Sequence, residues 1–116
     1  MADLLVDTDV FIDHLRGHHA LRSGDDSLSY STITRSELYA GTSANEDEVG
    51  LLLSPFRELA VDRQVAAMAG RIRRTAGART PDALIAGTAL VHGLTLVTRN
   101  AAAFEGIPRL RVRAPR

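Results

Sequence analysis

The sequence predicts a three-layer α/β/α domain with a central, mostly parallel sheet of four or five strands. Three observations predict it. Short β-favouring runs alternate with helical periodicity from one end of the chain to the other. The apolar runs at 4–6 and 94–97 read as strands covered on both faces. Helix-start residues and glycines separate the pieces at the short intervals of α/β connections. At 116 residues the chain has the usual size of one domain, so residues 1–116 are expected to form one unit without a linker.

The first strand runs straight into Asp7, Thr8 and Asp9, after which Val10, Phe11, Ile12 and Leu15 recur at helical spacing. This predicts a helix over about 9–16, stopped by Gly17. Ser23, Gly24, Asp25 and Asp26 are turn residues, and a second strand is expected over 28–33 with Leu28, Tyr30 and Thr32 on one face. Thr34 with Glu37 three positions on fits a capping box opening a short helix that ends near Gly41. Residues 45–54 read as an acidic helix with Val49, Leu52 and Leu53 inward, closed by Pro55. A short strand is expected at 59–61, and Asp62 can cap a longer helix to about 76 whose buried stripe is Val65, Met68, Ala69 and Ile72. Arg71, Arg73 and Arg74 occupy the rest of its circumference, as a solvated face or an RNA-contacting one. Thr80 as cap, Pro81 at the first helical position and Asp82 in the first turn begin a helix that is apolar or small nearly all round to Val91. Gly93 ends it, the strand at 94–97 follows, Thr98, Arg99 and Asn100 form its exit loop, and 109–113 alternates as a last, edge strand.

Composition removes several chemistries. There is no cysteine, hence no disulfide framework, thiolate metal site, iron–sulfur cluster or cysteine nucleophile. There is no lysine, which excludes a P-loop and Schiff-base catalysis. The four histidines, His14, His18, His19 and His92, form no HExxH pair, and the first three fall at the exposed end of helix one. No apolar run approaches the ~20 residues that span a bilayer and the N-terminus lacks a signal-peptide pattern, so a cytoplasmic protein without membrane association is expected. The net charge is zero, yet residues 1–62 hold twelve acids against four arginines and residues 63–116 hold ten arginines against two acids. Such asymmetry suits a cation site in one half and a polyanion surface in the other, or two halves that pair across the surface.

Right-handed crossovers would bring the carboxyl ends of strands one, two and four to the same edge, where Asp7, Glu37, Asp82 and the loop at 98–100 could meet. Two carboxylates ~5 Å apart repel by about 3 kcal/mol at an effective dielectric of 20, so a fold keeps them together only with compensation. Magnesium or manganese supplies it, since both prefer carboxylate and water oxygens. A metal there can acidify and orient water and stabilise charge on a phosphoryl oxygen, which points to phosphodiester hydrolysis. Each acid also has a structural explanation: Glu37 as the far half of the capping box, Asp82 as a dipole-favoured acid, Asp9 and Asp13 as helix-start and solvent-facing residues, and Asn100 as a turn residue. Asp7 has the weakest such explanation, because an acid between two apolar runs gains little from the fold.

The stretches LLVDTDVFID at 4–13, STITRSELYAG at 31–41, PDALIAGTAL at 81–90 and LVTRN at 96–100 resemble the successive motifs of PIN-domain proteins, and most of all the VapC toxins of bacterial toxin–antitoxin pairs. FEGIP at 104–108 is similar too, so the likeness covers nearly the whole chain. The resemblance implies a PIN-like fold and a Mg2+- or Mn2+-dependent endoribonuclease, dimeric, with RNA as substrate and a VapB-like antitoxin as partner. By match to the motifs, Asp7, Glu37 and Asp82 would be the catalytic, metal-binding acids, Glu37 directly or through water, with Thr8, Asp9, Thr98 and Asn100 in support. The family pattern often adds a fourth acid after strand four; Asn100 stands there, and Ala103 offers none either.

Three other readings compete with this one. Asp7-Thr8-Asp9-Val10 also resembles the first motif of haloacid-dehalogenase-type phosphatases, but that family generally uses a lysine that this chain lacks. A calcium loop fails because Phe11 occupies the next alternate position and no glycine follows. The third is a catalytically weak PIN-like domain whose role is to bind a protein partner, suggested by the missing fourth acid.

Overall fold

The apolar run at 4–6 lies in the middle of the molecule. In a computed structural model that describes residues 1–42 and 44–116, it forms β1 (Asp3–Val6), the central strand of an all-parallel five-stranded sheet. The others are β2 (Ser27–Ser31), β3 (Arg57–Leu59), β4 (Thr95–Val97) and β5 (Val112–Arg113), in the order β3-β2-β1-β4-β5. The helices among the described residues are α1 (Thr8–Leu15), α2 (Thr32–Ala40), α3 (Glu46–Leu53), α4 (Arg63–Ala76) and α5 (Thr80–His92), and a 3-10 turn, Ala101–Phe104, follows β4.

Alternation along the strands splits the core in two. Leu5, Leu59 and Leu96 face one side with Ala69 and Ile72 of α4, Ala83, Ile85, Ala86 and Ala89 of α5, and Phe104. Leu4, Val6, Leu28, Tyr30 and Val97 face the other with Val10 and Phe11 of α1, Leu38 of α2, and Val49 and Leu53 of α3. Helices on both faces of a parallel sheet give the expected three layers. Phe11 anchors the second core edge-on to Tyr30, with ring centroids 5.9 Å apart.

On the first face, α4 and α5 form a helical hairpin through Gly77, Ala78 and Arg79, with Gly77 in the left-handed conformation at φ 70°. The helices pack closely at Gly87, where an added Cβ would lie 3.1 Å from the Val65 carbonyl oxygen and 3.2 Å from the Ala69 nitrogen. The turn at 77–79 joins the last turn of α4, which carries Arg73 and Arg74, to the first turn of α5, which carries Asp82.

Several boundaries differ from the sequence expectations, each for a local reason. β2 ends at Ser31, whose hydroxyl accepts from the Ile33 amide at 3.2 Å and caps α2. Thr34 is therefore a buried residue inside the helix, and the Thr34–Glu37 capping box does not form. Thr32, expected on the strand face, opens the helix and its hydroxyl accepts from the Val61 amide at 3.1 Å. β3 lies two residues earlier than expected, because pairing Ser31 with Leu59 turns Leu59 into the core. Asp62 caps α4 as expected, accepting from the Val65 amide at 2.9 Å. In α5, Thr80 is the first helical residue and Arg79 stands at the cap without a side-chain bond. β5 is shorter than expected, since Arg109 adopts φ 66°, outside the strand region. α1 begins at Thr8, which makes Asp7 its cap.

Candidate active site

The strand order reverses between β1 and β4, and in open parallel sheets the crevice at such a switch point receives ligands. Asp7 directly follows β1 and Thr98 directly follows β4. The Asp7 amide donates to the Val97 carbonyl at 2.9 Å, so the acid is fixed to both strands. Each of its carboxylate oxygens accepts one hydrogen bond: Thr8 N–H donates to Oδ1 at 2.8 Å and the Thr98 hydroxyl to Oδ2 at 2.7 Å, leaving further lone pairs free. Asp7 is 7% exposed. It therefore does have a fold role, as the α1 cap, which sequence reasoning undervalued.

Two threonines join Asp7 to further acids. The Thr98 hydroxyl also lies 3.3 Å from Asp9 Oδ2, and its oxygen accepts from the Asn100 amide at 3.0 Å. Asp9 in turn accepts from the Arg99 amide at 3.2 Å. On the other side the Thr8 hydroxyl donates to Glu37 Oε1 at 2.7 Å and shares a 3.0 Å hydrogen bond with Thr34. Glu37 sits in the second turn of α2 and takes no part in its cap. Asp82 occupies the first turn of α5, half-buried, where the amide dipoles of an uncapped helix start favour its charge.

Burial pushes the Asp7 carboxyl from 3.8 up to about 6; the Thr98 hydrogen bond opposes the rise, the charge of Asp9 adds to it, the Thr8 amide opposes it and the charge of Asp82 adds again. Burial also raises Asp9 and Asp82, with the Arg99 amide moderating the first and Arg79 the second. Asp7, Asp9 and Asp82 thus share one electrostatic environment, and Glu37 lies one threonine away.

Among the described residues, no three carboxylate or imidazole side chains stand close enough together to ligate one ion directly. The donor set nevertheless suits a hard cation: every polar side-chain atom engaged here is a carboxylate or hydroxyl oxygen. Magnesium and manganese keep several of their waters and need only one or two carboxylates in direct contact. Spaced acids, one with its pKa raised by burial and further by the charges of Asp9 and Asp82, fit such a hydrated ion. Asn100 is exposed and precedes the 3-10 turn without a side-chain cap bond, and Ala103 packs against the first core.

Sequence reasoning missed one pair. Asp13, expected to face solvent, is 7% exposed and ion-paired with Arg99, whose Nη1 lies 2.7 Å from Oδ1. The available signal was its spacing of four from Asp9, which places both acids on one face of α1.

A PIN domain family model matches residues 4–110. Ribonuclease VapC10 of Mycobacterium tuberculosis is 37% identical, the alignment spanning 93% of this chain and 90% of that protein. A chain of a toxin–antitoxin complex from Klebsiella pneumoniae superposes with a TM-score of 0.78 at 29% identity, over 97% of this chain and 98% of that one. A chain of DNA-bound VapBC from Salmonella typhimurium does so at 0.75, also at 29% identity, over 98% of both chains.

Proposed function

The chain belongs to the PIN-domain family, and from that premise we propose that it is the endoribonuclease toxin of a toxin–antitoxin pair, hydrolysing RNA phosphodiester bonds with Mg2+ or Mn2+ as cofactor. The single observation that carries the reading is the Asp7-centred group of carboxylates at the β1/β4 switch point, in a chain similar along most of its length to a ribonuclease. A VapB-like antitoxin is the partner, a reading supported by the toxin–antitoxin complexes among its structural neighbours. RNA is the substrate and a homodimer the working form.

Asp7 and Asp82 would hold the ion, Glu37 would reach it through a bound water, Asp9 would support the site, and Thr98 and Thr8 orient Asp7 and Glu37. When bound, the ion supplies a more acidic water and positive charge against the phosphate oxygens. Asp7 must give up its proton near neutral pH to bind it, and a pKa of about 6 allows this. Phosphate contacts fall to arginines with no other duty. Arg99, Arg113 and Arg116 pair with Asp13 or Asp26, and Arg111 bonds the Gly93 carbonyl. Arg73, Arg74 and Arg79 are exposed, form no ion pair within 4.0 Å among the described residues, and flank the Asp82 end of the α4–α5 hairpin. The RNA backbone would run across them.

The test is incubation of antitoxin-free protein with a diverse RNA pool, with Mg2+ or Mn2+ and with chelator. Cleavage that chelator stops and antitoxin suppresses is expected. Intact RNA under every metal condition would instead favour a catalytically weak, partner-binding domain.

A further inference from the structure

We infer that Arg99 and Asp13 are a positioning pair that holds the β4 exit loop against α1 and thereby aims the Thr98 hydroxyl at Asp7. The inference rests on reading Asp7 as the centre of the active site.

Asp9 and Asp13 stand one turn apart on α1 and grip Arg99 at two points. The first accepts its backbone N–H at 3.2 Å, the second its guanidinium at 2.7 Å. Asp13 is buried, and Arg99 balances its charge; the other basic group facing it is His18, with Nδ1 3.9 Å from the same oxygen. Its partner Arg99 is more than half exposed, so the guanidinium reaches inward from solvent instead of being carried there by packing. A buried carboxylate left unpaired is costly, so the Asp13 charge favours the loop position that brings Arg99 to it.

Position matters at Thr98 because its hydroxyl has one proton. That proton goes to Asp7 at 2.7 Å, with Asp9 3.3 Å away as the competing acceptor, while the Asn100 amide occupies a lone pair at 3.0 Å. The Thr98 amide is tied to the Arg113 carbonyl of β5, on the side away from α1. Among the described residues, Arg99–Asp13 is the one ion pair between this loop and α1. If the loop slides, Thr98 shifts its proton toward Asp9 or loses both acids, and Asp7 loses its orientation. Displacements of about 1 Å at such a site cost up to about 100-fold in rate.

The test compares Asp13→Asn, Arg99→Met, the double variant and Arg99→Lys. In metal-free protein, amide exchange at Arg99 and Asn100 should accelerate at least about tenfold in the first three and less in Arg99→Lys, while amides of β1 and β4 keep their protection. In the loaded protein, kcat should fall about 10- to 100-fold with KM within about twofold, and the double variant should be no worse than either single one. Unchanged exchange overturns the inference. So does a raised KM with kcat intact in Arg99→Met, which would mean direct RNA contact, or losses that multiply in the double variant. Should Arg99→Met fail to fold, Arg99→Lys and Asp13→Asn carry the same readings. If the wild-type protein cleaves no RNA with any metal, the nuclease reading fails, and the metal-free exchange alone decides the clamp.

Discussion

The hydroxyl of Thr98 donates to the Asp7 carboxylate at 2.7 Å across 91 positions of sequence, joining the exits of the two strands between which the sheet reverses its order. The bond steadies a carboxylate that the fold otherwise resists ionising. Asp7 is buried and lies in the field of Asp9 and Asp82, and it carries a cap bond to Thr8 that keeps it in place. Under the proposed function, such an acid would exchange its proton for the metal ion.

Asp7 makes stability depend on pH in a definite direction. Its folded pKa of about 6 lies above its ordinary 3.8, so between those values the folded state binds more protons than the unfolded one. Metal-free stability should therefore rise as pH falls from 7 toward 4 and level off above 7, by at most about 3 kcal/mol from this group. Asp9 and Asp82, also raised, act in the same direction. Asp7→Asn keeps an acceptor for the Thr8 amide and removes the buried charge, so it should unfold at higher urea than wild type at pH 8, with a difference that shrinks by pH 5.

Glu37 separates a ligand from a helix cap. Since Ser31 caps α2, Glu37→Gln should change stability by less than about 0.5 kcal/mol, well below the roughly 1 kcal/mol of a lost cap. Cleavage should nevertheless drop at least about 100-fold. Urea denaturation and RNA cleavage on the same preparation check both halves.

At Gly87 a methyl group would press on the α4 backbone, 3.1 Å from the Val65 carbonyl oxygen and 3.2 Å from the Ala69 nitrogen, so that α4 would have to shift by a few tenths of an ångström. Alanine there gains roughly 1 kcal/mol of helix propensity, and the displaced α4 backbone costs about 1–3 kcal/mol. A net loss of up to about 2 kcal/mol is expected in denaturant titration, with metal affinity unchanged because the helix start at Asp82 lies more than a turn away.

The layers, the parallel sheet and the five helices were legible in the sequence, because apolar periodicity and glycine stops act locally. Leu4, Leu5 and Val6 declare a strand covered on both sides whatever surrounds them. The start of α2 was not legible. Ser31 and Thr34 offer the same capping chemistry, and only the pairing of Ser31 with Leu59 decides between them. The candidate site was half legible. Asp7 stood out as a charge between apolar runs, whereas the threonine bridges to Asp9 and Glu37 depend on side-chain geometry across 89 and 29 positions. Asp13 misled for the same reason: its ion-pair partner, Arg99, comes from the far end of the chain.

Arg73, Arg74 and Arg79 should govern the salt dependence of RNA binding. Replacing all three with glutamine should reduce the slope of log K against log salt by up to about 2, at about 0.7 per phosphate contact for a single strand. Arg113 and Arg116, engaged by Asp26, should alter it little. Fluorescence anisotropy in chelator, where cleavage is stopped, gives both slopes.

Titration calorimetry of Mn2+ into metal-free wild-type protein and Asp7→Asn, with folding verified for both, tests the metal-centred account most directly. Saturable binding to the wild type that is lost or weakened at least about 100-fold in Asp7→Asn is the predicted result. Equal binding by the two proteins would contradict the assignment of Asp7 as the centre of the site.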